Sequence, residues 1–329
     1  MKHYHIWIMA ILMVSCSPKP QEKVYLESWN NNDHKTEILE FVSNAENENS
    51  EGYIALEDRI AVFDNDGTLW TEKPLYNHFL AVFARFESLI KDDPSLKEVE
   101  PYKGIHNFIQ TKDPHALSFL MEELNQGKFN ELFGNLVGVP YAGMSVEEFV
   151  QWNKDYFSSW KHPKLDLSLN QTTYKPMKEL ITLLKDHGFQ VYIFTADESA
   201  FLKIFSEELY GIPPQNVFGS TVYLEYKEGK LRRSDQGLWV NNWGNKANLI
   251  YHTFNKRPTF AAGNSNGDFE MLQYVNSQKG PHMSLMVHHT DAERETAYDG
   301  HTEKVLPYGK ENGYLIVDMK NDWKTIFDK

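Results

Sequence analysis

Two aspartates one residue apart, Asp64 and Asp66, follow an apolar run in the segment RIAVFDNDGTLW (59–70). An apolar run of this kind predicts a buried strand, which we place at Arg59–Phe63. Two carboxylates aimed at one point repel each other, and a protein tolerates this when a cation lies between them. It also tolerates it when one carboxylate attacks a substrate and the other transfers protons. The segment therefore predicts a metal-binding or catalytic loop.

The elements around this loop fall into two groups. From Leu75 to about Trp160, apolar residues recur at spacings of three and four, which predicts helices, and Ser145 with Glu148 forms a capping-box pattern. After Tyr174, strands and helices alternate. We predict a helix from Lys175-Pro176 to Gly188, a strand at Val191–Phe194, a helix capped by Asp197, a hairpin turning at Glu228-Gly229, a helix at Lys246–Phe254, and strands at Thr259–Gly263, Ser284–His289 and Tyr314–Met319.

Apolar strands that alternate with helices predict an α/β fold: a doubly wound parallel sheet covered by helices on both faces. The helical stretch is then an insertion after the first strand. In such sheets, ligands bind beyond the carboxyl ends of the strands. Those ends carry Asp64 and Asp66, Thr195, the segment Gly263–Asp268 and the pair His288-His289. The sequence therefore predicts that polar residues far apart along the chain converge at one edge.

Four of these segments resemble the motifs of one enzyme superfamily. The stretch DNDGT (64–68) resembles the first motif of the haloacid dehalogenase superfamily of phosphohydrolases. Thr195 at a strand end is similar to the second motif, Lys246 in NWGNKANLI to the third, and GNSNGD (263–268) to the fourth. An insertion directly after the first motif resembles the phosphoserine-phosphatase-like branch.

The resemblance implies a Rossmann-like core at 29–70 and 175–329 and a helical cap at 71–174. It implies Asp64 as nucleophile and Asp66 as general acid and base, roles that carboxylates can fill. It further implies that Thr195 and Lys246 bind the phosphoryl group.

A magnesium ion is also implied, held by Asp64, the backbone carbonyl of Asp66 and an acid of the fourth motif. Relatives often carry an aspartate where this chain has Asn264, with a second aspartate at the place of Asp268. Either Asp268 binds the metal, or Asn264 binds it through its carbonyl oxygen while Asp268 holds a water. Because sulfur and clustered histidine ligands are absent from these motifs, magnesium is favoured over zinc.

The acid at Asp66 favours phosphate ester hydrolysis over carbon–halogen cleavage, because an alkoxide leaving group needs a proton and a halide does not. The predicted function is magnesium-dependent hydrolysis of small phosphomonoesters through an aspartyl-phosphate. Two alternatives stay open. One is a non-catalytic module that binds a phosphorylated ligand in the same cleft, and the other is a phosphotransferase or mutase.

The first 15 residues carry the apolar run Ile6–Val14 and predict a signal peptide. LMVSC ends at Cys16, the only cysteine, and resembles a bacterial lipobox, so we predict a lipid anchor and tether over 16–28 and export to the periplasm or cell envelope. A plain secretory signal is the alternative. The net charge of −13 argues against nucleic acid or anionic lipid as a partner, which leaves the lipid on Cys16 as the membrane contact. No feature specifies an oligomeric state.

Three further groups allow two interpretations each. His288-His289 suggests a metal site, but a capping box of Thr290 and Glu293 on a helix over 291–298 is favoured. Trp70 and Lys73 lie where the chain enters the cap, and either residue can face the substrate or the protein. Aromatic residues of the cap suit either a box for a quaternary ammonium group or a packed core, and the core is favoured; they are Tyr76, Phe79, Phe83, Trp152, Tyr156 and Trp160.

Overall fold

The structure, a computed structural model of the chain, describes residues 23–117, 133–134 and 136–328. The predicted signal peptide (1–15) and the predicted acylation site Cys16 lie outside the described residues. Within the described part of the chain, no helix is both long enough and apolar enough to cross a bilayer.

A central seven-stranded sheet has the strand order β4-β3-β2-β1-β5-β6-β7. Neighbouring strands are parallel except β3 and β4, which form an antiparallel hairpin. The strands are β1 (Ile60–Phe63), β2 (Gln190–Glu198), β3 (Val217–Lys227), β4 (Lys230–Trp239), β5 (Phe260–Gly263), β6 (Met283–His288) and β7 (Leu315–Asp318).

The first strand, β1, lies in the middle of the sheet, and the later strands are added on both sides of it. From β1 the chain builds β2, β3 and β4 on one side, then returns to build β5, β6 and β7 on the other. All four residues of β1 are buried: Ala61 and Phe63 belong to one hydrophobic cluster, and Ile60 and Val62 to a second. An internal parallel strand needs two apolar faces. The predicted doubly wound α/β fold is therefore confirmed.

The helices cover both faces of the sheet and fill the insertion after β1. They are α1 (Asp33–Glu46), α2 (Asn77–Asp92), α3 (Tyr102–Thr111), α4 (Val146–Ser159), α5 (Lys175–Asp186), α6 (Ser199–Leu202), α7 (Ser206–Tyr210), α8 (Gly244–Phe254), α9 (Phe269–Asn276), α10 (Val305–Glu311) and α11 (Met319–Asp322). Each predicted strand lies within about one residue of an observed one, except that β2 continues beyond Phe194 to Glu198.

Two local signals act as predicted. The hydroxyl of Ser145 accepts the Glu148 N–H at 3.2 Å, and the Glu148 carboxylate accepts the Ser145 N–H at 2.6 Å, so the capping box starts α4. Glu228 (φ +52°) and Gly229 (φ +79°) turn the β3–β4 hairpin. Positive φ at both central residues matches the right-handed twist of the strands.

The two connections between the sheet and the inserted helices run side by side. Thr71 donates its N–H to Thr172 O at 3.1 Å, and Tyr174 donates to Leu69 O at 2.8 Å. This short antiparallel pairing brings the entry and the exit of the insertion together. The division into a core (29–70 and 175–329) and a cap (71–174) stays a prediction, and the pairing lies at its boundary.

Two predicted helices are wrong in detail. Asp197 does not cap a helix, because it lies inside β2, where its carboxylate accepts the Glu198 N–H at 2.7 Å and contacts His78. The predicted helix after it is split into α6 and α7. Residues 291–298 do not form the predicted helix, and the predicted capping box of Thr290 and Glu293 is wrong, because the Thr290 hydroxyl donates to the Asp318 carboxylate instead. The Asp291 carboxylate accepts the N–H groups of Glu293 and Arg294 at 3.0 and 2.9 Å.

The aromatic residues of the insertion pack against one another, as their helical spacing predicts. Tyr76 meets Phe79 edge to face at 5.6 Å, and Trp152 stacks on Tyr156 at 5.5 Å. Trp160 contacts Phe157 at 5.3 Å. These contacts support the interpretation of the group as core, with Tyr76, which is 37% exposed, at its surface.

Candidate active site

The loop after β1 folds back on itself through its own backbone. Asp64 continues the sheet by donating its N–H to Ala262 O at 2.9 Å, and Asn65 O accepts from Thr68 and Leu69 at 3.1 and 2.8 Å. Gly67 has φ +70°, and a Cβ there would lie 2.0 Å from the Asn264 Nδ2. The glycine is therefore required twice, by its conformation and by the close approach of Asn264.

Lys246 joins the loops that follow β1 and β5. Its Nζ lies 2.5 Å from Asp64 Oδ1 and 2.6 Å from Asp268 Oδ1, and all three side chains are buried. Burial and the nearby Asp268 raise the pKa of Asp64 to about 7, against the opposing effect of Lys246. Burial lowers the pKa of Lys246, but the two carboxylates outweigh it and the pKa is raised. The lysine is thus a permanent cation beside Asp64.

Asp268 has both carboxylate oxygens engaged by protein groups. Oδ1 pairs with Lys246 at 2.6 Å, and Oδ2 accepts the N–H groups of Asn264 and Ser265 at 3.0 and 3.2 Å. At Gly263, a Cβ would lie 2.6 Å from the Cβ of Asp268, so this loop closes tightly around the carboxylate. Asp268 therefore orients the loop and Lys246.

Asn264 faces the nucleophile candidate through Thr68. The Thr68 hydroxyl lies 3.4 Å from Asn264 Oδ1 and 3.4 Å from Asp64 Oδ2. Lys246 contacts the other oxygen of Asp64, Oδ1, and so leaves Oδ2 on the side of Asn264. Of the two alternatives for the fourth motif, this arrangement favours a direct contribution from Asn264.

The oxygen atoms at this point suit a hard cation. Magnesium prefers oxygen ligands and keeps several waters, so the Asp64 carboxylate and the Asn264 carbonyl, with the backbone carbonyl of Asp66, form a fitting donor set. No group of three or more His, Cys, Asp and Glu side chains arranged to hold a metal occurs within the described ranges.

Asp66 has a different environment from Asp64. Its Oδ1 accepts a hydrogen bond from Trp70 Nε1 at 2.8 Å, which settles the orientation of Trp70 towards the protein. Removal of water from the carboxyl, followed by repulsion from Asp197 and Asp64, raises the pKa of Asp66 well above its usual value. The surroundings of Asp66 therefore favour its protonated form more than water does.

Thr195 lies buried in β2, four residues before α6 begins. Its hydroxyl oxygen accepts the Asp197 N–H at 3.0 Å, and its carbonyl accepts from Asn241 Nδ2 at 3.0 Å. Because the hydroxyl oxygen accepts here, its own proton can be donated to a ligand. Thr195 thus lies inside β2, just past Ile193, where the pairing of this strand with β1 ends, and not at the end of the strand as the sequence predicts.

The pair His288-His289, which the sequence places at a strand end, has two different surroundings. His289 donates from Nε2 to Gly67 O at 2.7 Å and stacks on Tyr298 at 4.4 Å, whereas His288 points away to Asp299. The adjacent histidines therefore do not share a metal site. The sequence signal for His289 is the position of the pair at the end of a predicted strand.

His78 at the start of α2 connects the insertion to β2. Its Nδ1 lies 2.5 Å from Asp197 Oδ1, and its ring stacks on Phe201 at 4.1 Å. Both side chains of this hydrogen-bonded pair are buried. Nothing local in the sequence distinguishes this histidine from a core residue, because its partner is 119 positions away.

Comparisons with known proteins agree with this geometry. The family profile "haloacid dehalogenase-like hydrolase" matches residues 61–273. No curated protein sequence shows significant similarity to the chain.

Two solved structures are similar in fold. A conserved protein of unknown function from Anaerococcus prevotii DSM 20548 has a TM-score of 0.58 at 14% identity, over 92% of this chain and 98% of that one. A protein of unknown function from Bordetella pertussis Tohama I has a TM-score of 0.51 at 14% identity, over 79% and 98%. With the profile match over more than half of its length, the chain belongs to the haloacid dehalogenase-like hydrolase family.

Proposed function

We propose that the protein is a magnesium-dependent phosphatase that hydrolyses small phosphomonoesters through an aspartyl-phosphate. The observation that carries this proposal is the contrast between two neighbouring carboxylates. Asp64 is paired with a buried lysine, and Asp66 is held in a surrounding that favours its protonated form. A nucleophile and a general acid need these two different states.

In the first step, Asp64 attacks phosphorus and the bond to the ester oxygen breaks. Asp66 gives its proton to that oxygen, so that an alcohol leaves. In the second step, Asp66 takes a proton from a water that attacks phosphorus, and the bond to Asp64 breaks. Inorganic phosphate leaves and both carboxylates return to their starting states.

The phosphoryl oxygens need compensation for their charge in both steps. Lys246 supplies a fixed positive charge, and Thr195 supplies a hydroxyl donor. Asp64, Asn264 and the backbone carbonyl of Asp66 would hold Mg²⁺. When bound, the ion would neutralise charge that develops on the transferred group.

The cap would exclude bulk water during transfer. Contacts between the insertion and the sheet support this role. Arg233 of β4 forms a buried bidentate pair with Glu198 at 2.5 and 2.8 Å, and its guanidinium lies 3.9 Å from the ring centre of Phe149 in α4. With His78 on Asp197, two buried contacts thus tie inserted helices to the strands that carry the site.

A non-catalytic module that binds a phosphorylated ligand is the second candidate, and Asn264 is the observation that favours it. An asparagine in the fourth motif removes one negative charge from the metal site. The complete Asp64 and Asp66 pair argues for the enzyme. A phosphotransferase would use the same first step and pass the phosphoryl group to a second alcohol instead of water.

The test is phosphate release from a broad panel of phosphomonoesters by the purified protein, with Mg²⁺ and with a chelator. Asp64→Ala is the catalytic variant, and Asp299→Ala, at an exposed acid, is the matched control. Release that needs Mg²⁺ and is lost in Asp64→Ala alone supports the proposal. Release that survives in Asp64→Ala contradicts it, and no release with any ester favours the binding module.

We further propose export and acylation at Cys16, on the basis of the apolar run and the lipobox-like LMVSC. Incorporation of labelled palmitate in a bacterial host is expected for the wild type and not for Cys16→Ser. Equal labelling of both proteins would contradict it.

A further inference from the structure

The side-chain amide of Asn264 has different neighbours on its two ends. Its Nδ2 lies 3.3 Å from the Tyr298 hydroxyl. Its Oδ1 lies 3.4 Å from the Thr68 hydroxyl, which contacts Asp64 Oδ2 at the same distance. The amide is therefore turned with its nitrogen towards Tyr298 and its oxygen towards Asp64.

The hydroxyl of Tyr298 lies in a buried, acidic surrounding. Removal from water and the nearby negative charge of Glu72 raise the pKa of this hydroxyl well above its usual value. Glu72 is 6% exposed, and its carboxylate lies 3.3 Å from Lys73 Nζ. An amide nitrogen can only donate, so the Tyr298 hydroxyl accepts the hydrogen bond from Asn264.

The groups around Asn264 and Tyr298 are closely packed. A Cβ at Gly67 would lie 2.0 Å from Asn264 Nδ2 and 3.1 Å from the Glu72 carboxyl carbon, so both groups press against the glycine. The Tyr298 ring stacks on His289, and His289 donates to Gly67 O at 2.7 Å. The motif loop, the ring and the amide therefore fix one another.

We propose that Tyr298 is a positioning residue that turns the carbonyl oxygen of Asn264 towards the magnesium position. The hydrogen bond from Nδ2 to the Tyr298 hydroxyl uses an N–H that an aspartate at 264 would lack, and it keeps the amide oxygen on the side of Asp64. This inference rests on the magnesium site of the proposed function and not on hydrolysis itself.

Mg²⁺ affinity measured by isothermal titration calorimetry tests it, with wild type, Tyr298→Phe, Asn264→Ala and the double variant. Phenylalanine keeps the stack on His289 and removes the hydroxyl alone. Loss of a group that orients a metal ligand is expected to weaken binding by about 10-fold or more. In the Asn264→Ala background, the same tyrosine change is expected to have no further effect, because no amide remains to be oriented.

Tyr251→Phe is the matched control, because Tyr251 is 48% exposed, and it is expected to bind Mg²⁺ as the wild type does. The inference is overturned if Tyr298→Phe keeps wild-type affinity, if it weakens binding equally in both backgrounds, or if the wild type binds no Mg²⁺. Phosphate release is followed in the same samples. The expected binding pattern without hydrolysis would contradict the phosphatase proposal and leave this one supported.

Discussion

Two regions near Gly67 each contain a carboxylate with little access to water, and the pKa values of the two shift in opposite directions. Asp66 receives a hydrogen bond from Trp70 and lies near other carboxylates, and its pKa is raised. Glu295 accepts from the hydroxyls of Thr71 and Tyr174, from the Thr296 N–H at 2.5 Å and from His289 at 3.4 Å.

Burial raises the pKa of Glu295, but the hydrogen bond and charge of His289 and the donation from Thr71 outweigh it, so the pKa is lowered. The comparison teaches that the number and sign of the neighbours decide the state of a buried carboxylate, and burial alone does not. Asp66 is kept as an acid that can give a proton. Glu295 is kept as an anion that binds His289 and Thr71, the residue at which the chain enters the insertion.

Removal of Lys246 is expected to have the largest effect on stability, because Asp64 would then resemble Asp66 as a carboxylate with no paired cation. Lys246→Met leaves Asp64 and Asp268 facing each other in a buried site. At pH 8 the free energy of unfolding in urea is expected to fall by about 3–5 kcal/mol, the typical cost of breaking a buried pair.

Lys256→Met is the control for that measurement. Lys256 pairs with Asp58 at 2.6 Å, but both side chains are at least 40% exposed. Exposed pairs contribute about 0–1 kcal/mol, so this variant is expected to stay close to wild type. Equal losses in the two variants would show that the burial of Lys246 has no special role.

Asp66→Asn tests the acid role of Asp66, because the substitution removes the carboxyl proton and keeps the shape of the side chain. The amide oxygen can still accept from Trp70, so the unfolding midpoint is expected to change little. Loss of a general acid typically lowers kcat by about 10²- to 10⁴-fold. The loss should be larger for an alkyl phosphate than for an aryl phosphate with an acidic phenol, because the phenolate leaves without a proton. Equal losses on the two esters would contradict the acid role of Asp66.

Much of the fold and part of the site follow from local sequence patterns. The run IAVF has no polar position, so it predicts a strand buried on both faces, and the sheet confirms it. Asp64 and Asp268 lie in the loops after β1 and β5, and Lys246 lies in the first turn of α8, as their neighbours along the chain predict. Thr195 lies three residues before the end of β2, which is longer than predicted. Their proposed roles await the experiments above.

The remainder depends on contacts that no local pattern encodes. His289 meets Gly67 across 222 positions, and Thr71 meets Glu295 across 224. Asp197 was misassigned for a physical reason. Its sequence context resembles a helix cap, but a register shift between Phe194 and Glu198 lets β2 continue past it, and the carboxylate bonds the next N–H and His78 instead.

The smallest effect is expected at Glu295, where several donors share the charge. The folded-state pKa of Glu295 is lowered, so its contribution to stability is complete above the unfolded-state pKa of about 4.3 and is lost as the pH falls through the folded-state value. At pH 7, Glu295→Gln is expected to lower the free energy of unfolding by about 1–3 kcal/mol.

Between pH 5 and pH 3, by the same linkage, the stability of Glu295→Gln is expected to fall less steeply than that of wild type. The two proteins therefore become more alike as the medium is acidified. Urea titrations across this range measure the difference, and Glu293→Gln, at an exposed neighbour, is the control. A difference that stays constant with pH would mean that Glu295 acts through shape and not through its charge, and the contrast with Asp66 would then rest on Asp66 alone.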